Sequence, residues 1–315
     1  MAQPSPEQYL DSIHNPPRGA PFSRLAALSD EERLLVEWNM RRVALARESP
    51  KHFFGYVMRE ETTRVRIVTL PHQRVLFDFV RHYPFTVLRL PVGFSKSFCM
   101  TGLTLWQLGK SKTTRGAFIS SSEDQASKPL LAVRSYIEDS PELRLVYPQL
   151  LPTQRDGEPW TQTAITIDRP YGIRDPSCVA LGLDSKRLPG SRLNWANVDD
   201  ILDEQNTSTA EQRRKVNKWV LSTVVTRLGE KGARCCVTNT PWHPEDVTYE
   251  LEKIGWPSCS MDAWGNVFFK NADDFDSPDI RPSLIGGDSG VHRLVANDRR
   301  ELIEQAAEEM RAGAL

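Results

Sequence analysis

Apolar positions along this chain change period repeatedly, and the changes predict strands alternating with helices. Short β-prone runs occur at Val87–Leu90, Ala117–Ser120, Thr163–Asp168, Cys178–Leu183, Asn194–Val198, Ala233–Thr238 and around Pro257–Met261. Between them lie helical stretches. Ser29 with Glu32 forms a capping box for a helix running to about Arg47, with Leu34, Leu35, Trp38 and Leu45 as its apolar positions. Further helices are expected at about Pro50–Met58, Pro71–His82, from the Lys96 region to about Leu108, at Glu123–Asp139 and at Ser208–Leu228. In the last of these, Ser208 with Glu211 is expected to cap, Val216, Trp219, Val220, Val224 and Leu228 to be buried, and Gly229 to stop the helix. Such alternation predicts a mostly parallel α/β sheet with helices on both faces.

Three segments follow from the pattern: a mostly helical N-terminal extension (1–63), a core (64–270), and a linker with a C-terminal helix (271–315). Residues 1–28 are rich in Pro, Ser and Ala, and a last amphipathic helix is expected over about 298–312. The stretch from Asn271 is rich in Pro, Gly and Asp, so Asp273, Asp274, Asp276 and Asp279 are expected to be solvated. Hydrophobic content of 39% and charged content of 26% fit a soluble globular protein, and no apolar run reaches the roughly 18 residues of a membrane span. The start, MAQPSPEQYL, has no secretory apolar region. Five cysteines (Cys99, Cys178, Cys235, Cys236, Cys259) lack metal-binding spacing and are expected to be reduced core thiols. A net charge of −1 places any nucleic-acid surface in a local patch.

Candidate chemistry begins at LPVGFSKSFCMTGL (Leu90–Leu103), where a strand feeds a loop and then an apolar helix. A phosphate-binding loop needs this context: amides and a helix N-terminus face an anion, a lysine (Lys96) reaches the β/γ-phosphates, and a hydroxyl (Ser97) ligates Mg²⁺. Against GxxxxGK[ST], Leu90 and Ser95 stand at the glycine positions and Gly93 is the glycine that remains. The motif is degenerate, and a chance G-x-x-K-S turn is the competing reading. A second element stands at Asn194–Arg214, where a β-prone run ends in Asp199 and Asp200. Phosphoryl transfer to water needs one acid for the metal shell and another for the attacking water, and neighbours at a strand's C-terminal end can divide that work. The plainer readings are a solvated acidic turn or a second register at Asp203–Glu204.

Three further groups fit a nucleotide motor. Thr238, Asn239 and Thr240 end a strand, where small polar groups can report a γ-phosphate; a hydroxyl-stabilised turn is the alternative. Gln73, in LPHQ, carries a planar amide suited to adenine N6 and N7, although surface glutamines are commoner. Arg192, and the run Arg213, Arg214, Lys215 and Lys218, read either as solvated charges or as phosphate and DNA contacts.

Taken in order, LPHQ, LPVGFSKS, FISSSEDQA, LDSKRLPGSR with VDDILDEQNT, EQRRKVNKWV and VTNTPWHPEDV resemble the ATPase domain of the large terminase subunit of tailed bacteriophages, over about Leu70–Trp264. The resemblance implies an additional-strand (ASCE) P-loop ATPase, with ATP and Mg²⁺ as cofactors. It implies partners too: double-stranded DNA, a portal protein and a small terminase subunit, with a homo-oligomeric ring on the portal and a monomer in isolation. Host cytoplasm is the implied location. Carried over by position, Gly93, Phe94, Ser95, Lys96, Ser97 and Phe98 form the nucleotide loop, and Gln73 reads adenine. Ser97 and Asp199 hold the metal, Asp200 takes the place of the catalytic acid that is usually glutamate, and Thr238–Thr240 take the coupling motif. Val92 stands where some members carry an arginine, so a charge-stabilising arginine is sought elsewhere, with Arg134 and Arg192 as candidates. With only 271–315 beyond the core, DNA cleavage is not expected of this chain. A non-catalytic nucleotide-binding assembly module and a helicase-like DNA-dependent ATPase are the alternatives.

Overall fold

The computed structural model describes residues 29–183, 185, 192–229, 231–282 and 291–294. The N-terminal stretch 1–28, most of LDSKRLPGSR (184 and 186–191) and the helix expected over 298–312 lie outside the described residues. Ten strands form one sheet in the order β3-β4-β2-β5-β6-β1-β7-β8-β10-β9. They are β1 Phe85–Arg89, β2 Gly116–Ser120, β3 Ala164–Ile165, β4 Cys178–Gly182, β5 Trp195–Asp199, β6 Arg234–Asn239, β7 Ser258–Met261, β8 Asn266–Lys270, β9 Ile280–Pro282 and β10 Val291–Leu294. The run β4-β2-β5-β6-β1-β7 is parallel throughout, and antiparallel pairing begins only at its edges.

Strands buried on both faces need apolar side chains on both, which is why β2 and β5 carry no exposed residue. Alternation divides the core in two. Leu88, Phe118, Ala180, Trp195 and Cys236 face one cluster, and Val87, Ala117, Ile119, Ala196, Val198 and Val237 face the other. Nine α-helices lie among the described residues: α1 Asp30–Glu48, α2 Pro50–Val57, α3 Pro71–His82, α4 Lys96–Lys110, α5 Glu123–Asp139, α6 Pro141–Val146, α7 Glu204–Thr207, α8 Ala210–Trp219 and α9 Val247–Lys253. Helices α2, α4 and α5 supply the first cluster, whereas α8 and α9 supply the second, so helices cover both faces. Gly116 is fixed by packing, since a Cβ there would sit 2.0 Å from the Trp195 ring.

Several expectations need correction. Helix α1 exposes Leu34, Leu35 and Leu45 and buries Asn39, Val43 and Ala46 instead. Its inner face is polar and small because Asn39 accepts a hydrogen bond from Tyr56 Oη at 3.0 Å. The helix expected at Ser208–Leu228 is interrupted. Its cap is Thr209 with Gln212, and beyond Trp219 the backbone widens to a π turn at Val220–Val224 and tightens to a 3₁₀ turn at Val225–Arg227. Ser222 Oγ donates to Lys218 O (2.6 Å) and Thr226 Oγ1 to Ser222 O (2.8 Å), a back-bonding that bends helices. The linker expected from Asn271 is instead built into the fold. Asp279 is buried and paired with Arg74 (2.7 Å), and β9 and β10 extend the sheet; Asp273, Asp274 and Asp276 are exposed as expected, although Asp274 accepts from Tyr83 and His82. Half-buried cations draw the segment in: Asp279 pairs with Arg74 of α3 and lies 3.9 Å from Lys51 of α2, which also pairs with Asp78 (2.8 Å).

Candidate functional site

Strand β6 lies between β1, which leads into the phosphate loop, and β5, which ends in the acidic pair. Three strand ends therefore meet at one edge: Arg89–Leu90, Asn239–Thr240 and Asp199–Asp200. This is the order of additional-strand P-loop NTPases, the fold class expected from the sequence.

Loop 91–95 turns on two left-handed residues, Gly93 (φ 86°) and Ser95 (φ 54°). An added Cβ at Gly93 would meet nothing, so its glycine serves the backbone angle and not the space. Ser95 takes the same hand at a cost that glycine would not carry. It precedes α4 without capping it through its side chain, and the amides of Lys96, Ser97 and Phe98 have no acceptor within the helix. An anion would satisfy all three.

Lys96 is buried, and its ammonium donates to Thr240 Oγ1 (2.9 Å), Pro91 O (3.1 Å) and Leu90 O (3.4 Å). Asp199 is buried too, with Oδ1 lacking any hydrogen-bond partner. Burial and the neighbouring Asp200 push its carboxyl up to about 7, while a hydrogen bond from Ser97 and the Lys96 charge pull the other way. The structure thus brings Lys96, Ser97, Asp199 and Thr240 into one site. Asp200 is left-handed (φ 44°), held by its amide to Thr238 O (3.0 Å), and its carboxylate makes no hydrogen bond or ion pair among the described residues.

Asn239 ties the edge together. Its carbonyl accepts from Leu90 N (3.2 Å), its Oδ1 from Leu202 N (3.2 Å), and its amide donates to Thr240 O (2.6 Å). A strand end beside the lysine is thereby linked to the segment entering α7. Thr238 is buried with an unpartnered hydroxyl. Gln73 is buried at the start of α3, where its Oε1 accepts from Leu70 N at 2.9 Å. Only its NH₂ group is left uncommitted, so a bidentate amide contact requires that cap to open or to share its oxygen. Phe94 packs on His72 (ring centroids 4.8 Å), and Phe98 packs edge-on against Phe54 (5.3 Å). The Phe94 and Phe98 side chains therefore pack as walls.

Other candidates lie elsewhere. Arg134 pairs with Glu138 (3.0 Å) within α5, and Arg192 is an exposed side chain at the approach to β5. Arg213 does not belong to an exposed basic face. It is buried, donating to Thr207 O (2.8 Å) and Glu245 (3.0 Å), and so joins α7 and α8 to the loop after β6. Sequence reasoning passed over His72, whose imidazole is held below the ordinary histidine value by burial and whose ring props the loop through Phe94. Its position beside Gln73 was the available signal. Asn197 is a polar residue buried in the middle of β5. Asn197 Nδ2 donates to Thr104 Oγ1 (2.8 Å) and Gln107 Oε1 (3.0 Å), pinning α4 onto the acidic strand.

Among the described residues no group of three or more His, Cys, Asp or Glu side chains could hold a metal. The donor set still suits Mg²⁺ together with a nucleotide, because that ion takes one or two protein oxygens and completes its shell with phosphates and water. The orphaned Asp199 Oδ1 and the exposed Ser97 hydroxyl are such oxygens.

No protein-family model matches the chain, and no curated protein matches it. Solved structures do. An arginine-to-alanine mutant of the Thermus phage P74-26 large terminase ATPase domain is 17% identical with a TM-score of 0.38, over 55% of this chain and 66% of that one. The HK97 bacteriophage large terminase is 12% identical with a TM-score of 0.45, over 66% of this chain and 41% of that one. The unmutated P74-26 ATPase domain is 15% identical with a TM-score of 0.39, over 64% and 72%. This chain thus spans less than half of the HK97 protein. No described helix is long and apolar enough to cross a membrane.

Proposed function

We propose that this chain is an ATPase, and that it serves as the motor of a large terminase that drives double-stranded DNA into a procapsid. The observation that carries the reading is the meeting of a buried lysine, a hydroxyl and an under-satisfied buried aspartate at the mouth of one phosphate-type loop. In this reading, Lys96 exchanges three protein oxygens for phosphate oxygens, so little new desolvation is needed on binding. Mg²⁺, when bound, neutralises charge building on the phosphates. Ser97 and Asp199 would hold it, and the amides of Gly93, Phe94, Ser95, Lys96, Ser97 and Phe98 would cradle the chain of phosphates. Asp200 orients or deprotonates the attacking water. Thr240 and Asn239 register loss of the terminal phosphate, because one binds Lys96 and the other holds Leu202 ahead of α7. Gln73 contributes to the adenine side.

The division into an extension (1–63), an ATPase core (64–270) and a C-terminal segment (271–315) without nuclease activity belongs to the same reading. So do the portal, the small subunit, the ring assembly and the host cytoplasm. A second reading, a nucleotide-binding assembly module without turnover, is favoured by the strained Ser95 in the loop. DNA-stimulated ATPase assays separate the two. The motor reading expects activity in the wild type and its loss, by at least about a hundredfold, in both Lys96→Ala and Asp200→Asn. Nucleotide binding without turnover in the wild type would favour the module.

A further inference from the structure

Between α4 and α5 lies a cleft of about 330 Å³ whose walls include Ser97, Thr101, Lys128 and Tyr136, together with Glu61 and Arg64 from the turn after α2. This turn is built as a fixed support. Arg59 and Arg66 bridge across it, the Arg59 amide donates to Tyr136 Oη (2.9 Å), and the Arg59 guanidinium pairs with Glu142 on α6. Inside the turn, the Glu60 carboxylate accepts from the amides of Thr62 (3.0 Å) and Thr63.

Arg64 stands out by its backbone and by its place on the cleft. It holds a left-handed backbone (φ 58°), where glycine would be free of strain. Its guanidinium is exposed and makes no hydrogen bond or ion pair among the described residues, so it is open to a ligand. A left-handed arginine on a braced turn is costly if the turn's shape is all that matters, since glycine would form it without strain. It opens onto the same cleft as Ser97, the hydroxyl that faces Asp199. On the loop itself Val92 is 82% exposed and brings no charge.

We propose that Arg64 reads the terminal phosphate of a nucleoside triphosphate seated on loop 91–97, so that the turn 59–66 tells triphosphate from diphosphate. The inference rests on the nucleotide-site reading of Lys96. A guanidinium suits the task because its planar fork donates twice to phosphate oxygens and stays charged at any working pH. Lys128 adds a second positive charge to the cleft, and Glu61 at its rim keeps the local field from being uniformly cationic.

The test is equilibrium binding of fluorescent ADP and a non-hydrolysable fluorescent ATP analogue, with Mg²⁺, to the full chain. Arg64→Ala is expected to weaken the triphosphate about tenfold and to leave the diphosphate within about twofold, as for loss of one charge-assisted contact. Arg64→Lys is expected to recover part of the loss. Arg64→Gly should show the same loss with a melting temperature at or above that of the wild type, which separates lost recognition from lost folding. An unchanged triphosphate-to-diphosphate ratio in Arg64→Ala, with both nucleotides lost in Lys96→Ala, overturns the inference and spares the nucleotide site. Wild-type binding of both nucleotides by Lys96→Ala overturns the site and the inference together. Weaker binding of duplex DNA by Arg64→Ala at an unchanged nucleotide ratio assigns the side chain to a nucleic-acid phosphate and overturns the proposal.

Discussion

The two sides of the site are built to different standards. On the loop side Lys96 is buried and fully answered by three oxygen acceptors, two of them carbonyls that cannot move without the backbone. On the β5 side Asp199 is buried and under-answered, with one bare oxygen and its proton affinity raised by burial and by Asp200. A cation parked on protein oxygens can be handed to phosphates at small cost, since one set of acceptors replaces another. A buried carboxylate with an empty lone pair is unfavourable until a cation arrives. The difference places the stored cost of the site on the acidic strand, where folding stability and chemistry pull in opposite directions.

The largest expected effect breaks that opposition directly. Because the Asp199 carboxyl titrates higher in the folded chain (about 7) than the 3.8 of a free side chain, the folded state keeps a proton that the unfolded state has lost. Stability from this group is therefore greatest at low pH, declines as pH rises through that interval, and is flat above it. Asp199→Asn carries no such charge. Without Mg²⁺ or nucleotide, the variant should be more stable than the wild type at pH 8, on the order of 2–4 kcal/mol, with the gap closing towards pH 4. Urea unfolding of both proteins across this range checks it, and the same variant should lose ATP turnover. A constant gap at every pH would remove the titration argument.

A smaller effect is expected on the loop side. Thr240→Val removes the one side-chain acceptor of Lys96 and leaves the two carbonyls. Steady-state ATPase activity should fall by about tenfold, because the hydroxyl assigned to register the terminal phosphate is gone, with the fold retained by circular dichroism. Smallest of all is Ser95→Gly, which relieves a left-handed serine (φ 54°) and should stabilise by up to about 1 kcal/mol, read as a rise in melting temperature. No change there would mean that the serine side chain compensates its own strain.

The same contrast runs through what the sequence made legible. Strand, loop and α4 follow one another locally, so the lysine side could be read directly, and α3 and α5 fall at Pro71–His82 and Glu123–Asp139 as their patterns predict. The acidic side depended on tertiary facts. Asn197 looks like a break in β5 until Thr104 and Gln107 are brought against it. Hydroxyl back-bonding from Ser222 and Thr226 turns the end of a long amphipathic pattern into π and 3₁₀ turns, which apolar spacing cannot register. At Asp279 an acidic, proline-bearing stretch reads as solvated although two half-buried cations, Lys51 and Arg74, recruit it. Arg64 had no local signal, because its standing comes only from the cleft that α4 and α5 complete.

The most direct measurement is a structure of the chain with a non-hydrolysable ATP analogue and Mg²⁺. The expected result is the Lys96 ammonium moved from Thr240 Oγ1, now 2.9 Å away, onto phosphate oxygens, with Asp199 Oδ1 turned to the shell of the metal. A nucleotide bound elsewhere, with the Lys96–Thr240 contact intact and Asp199 still bare, would contradict it.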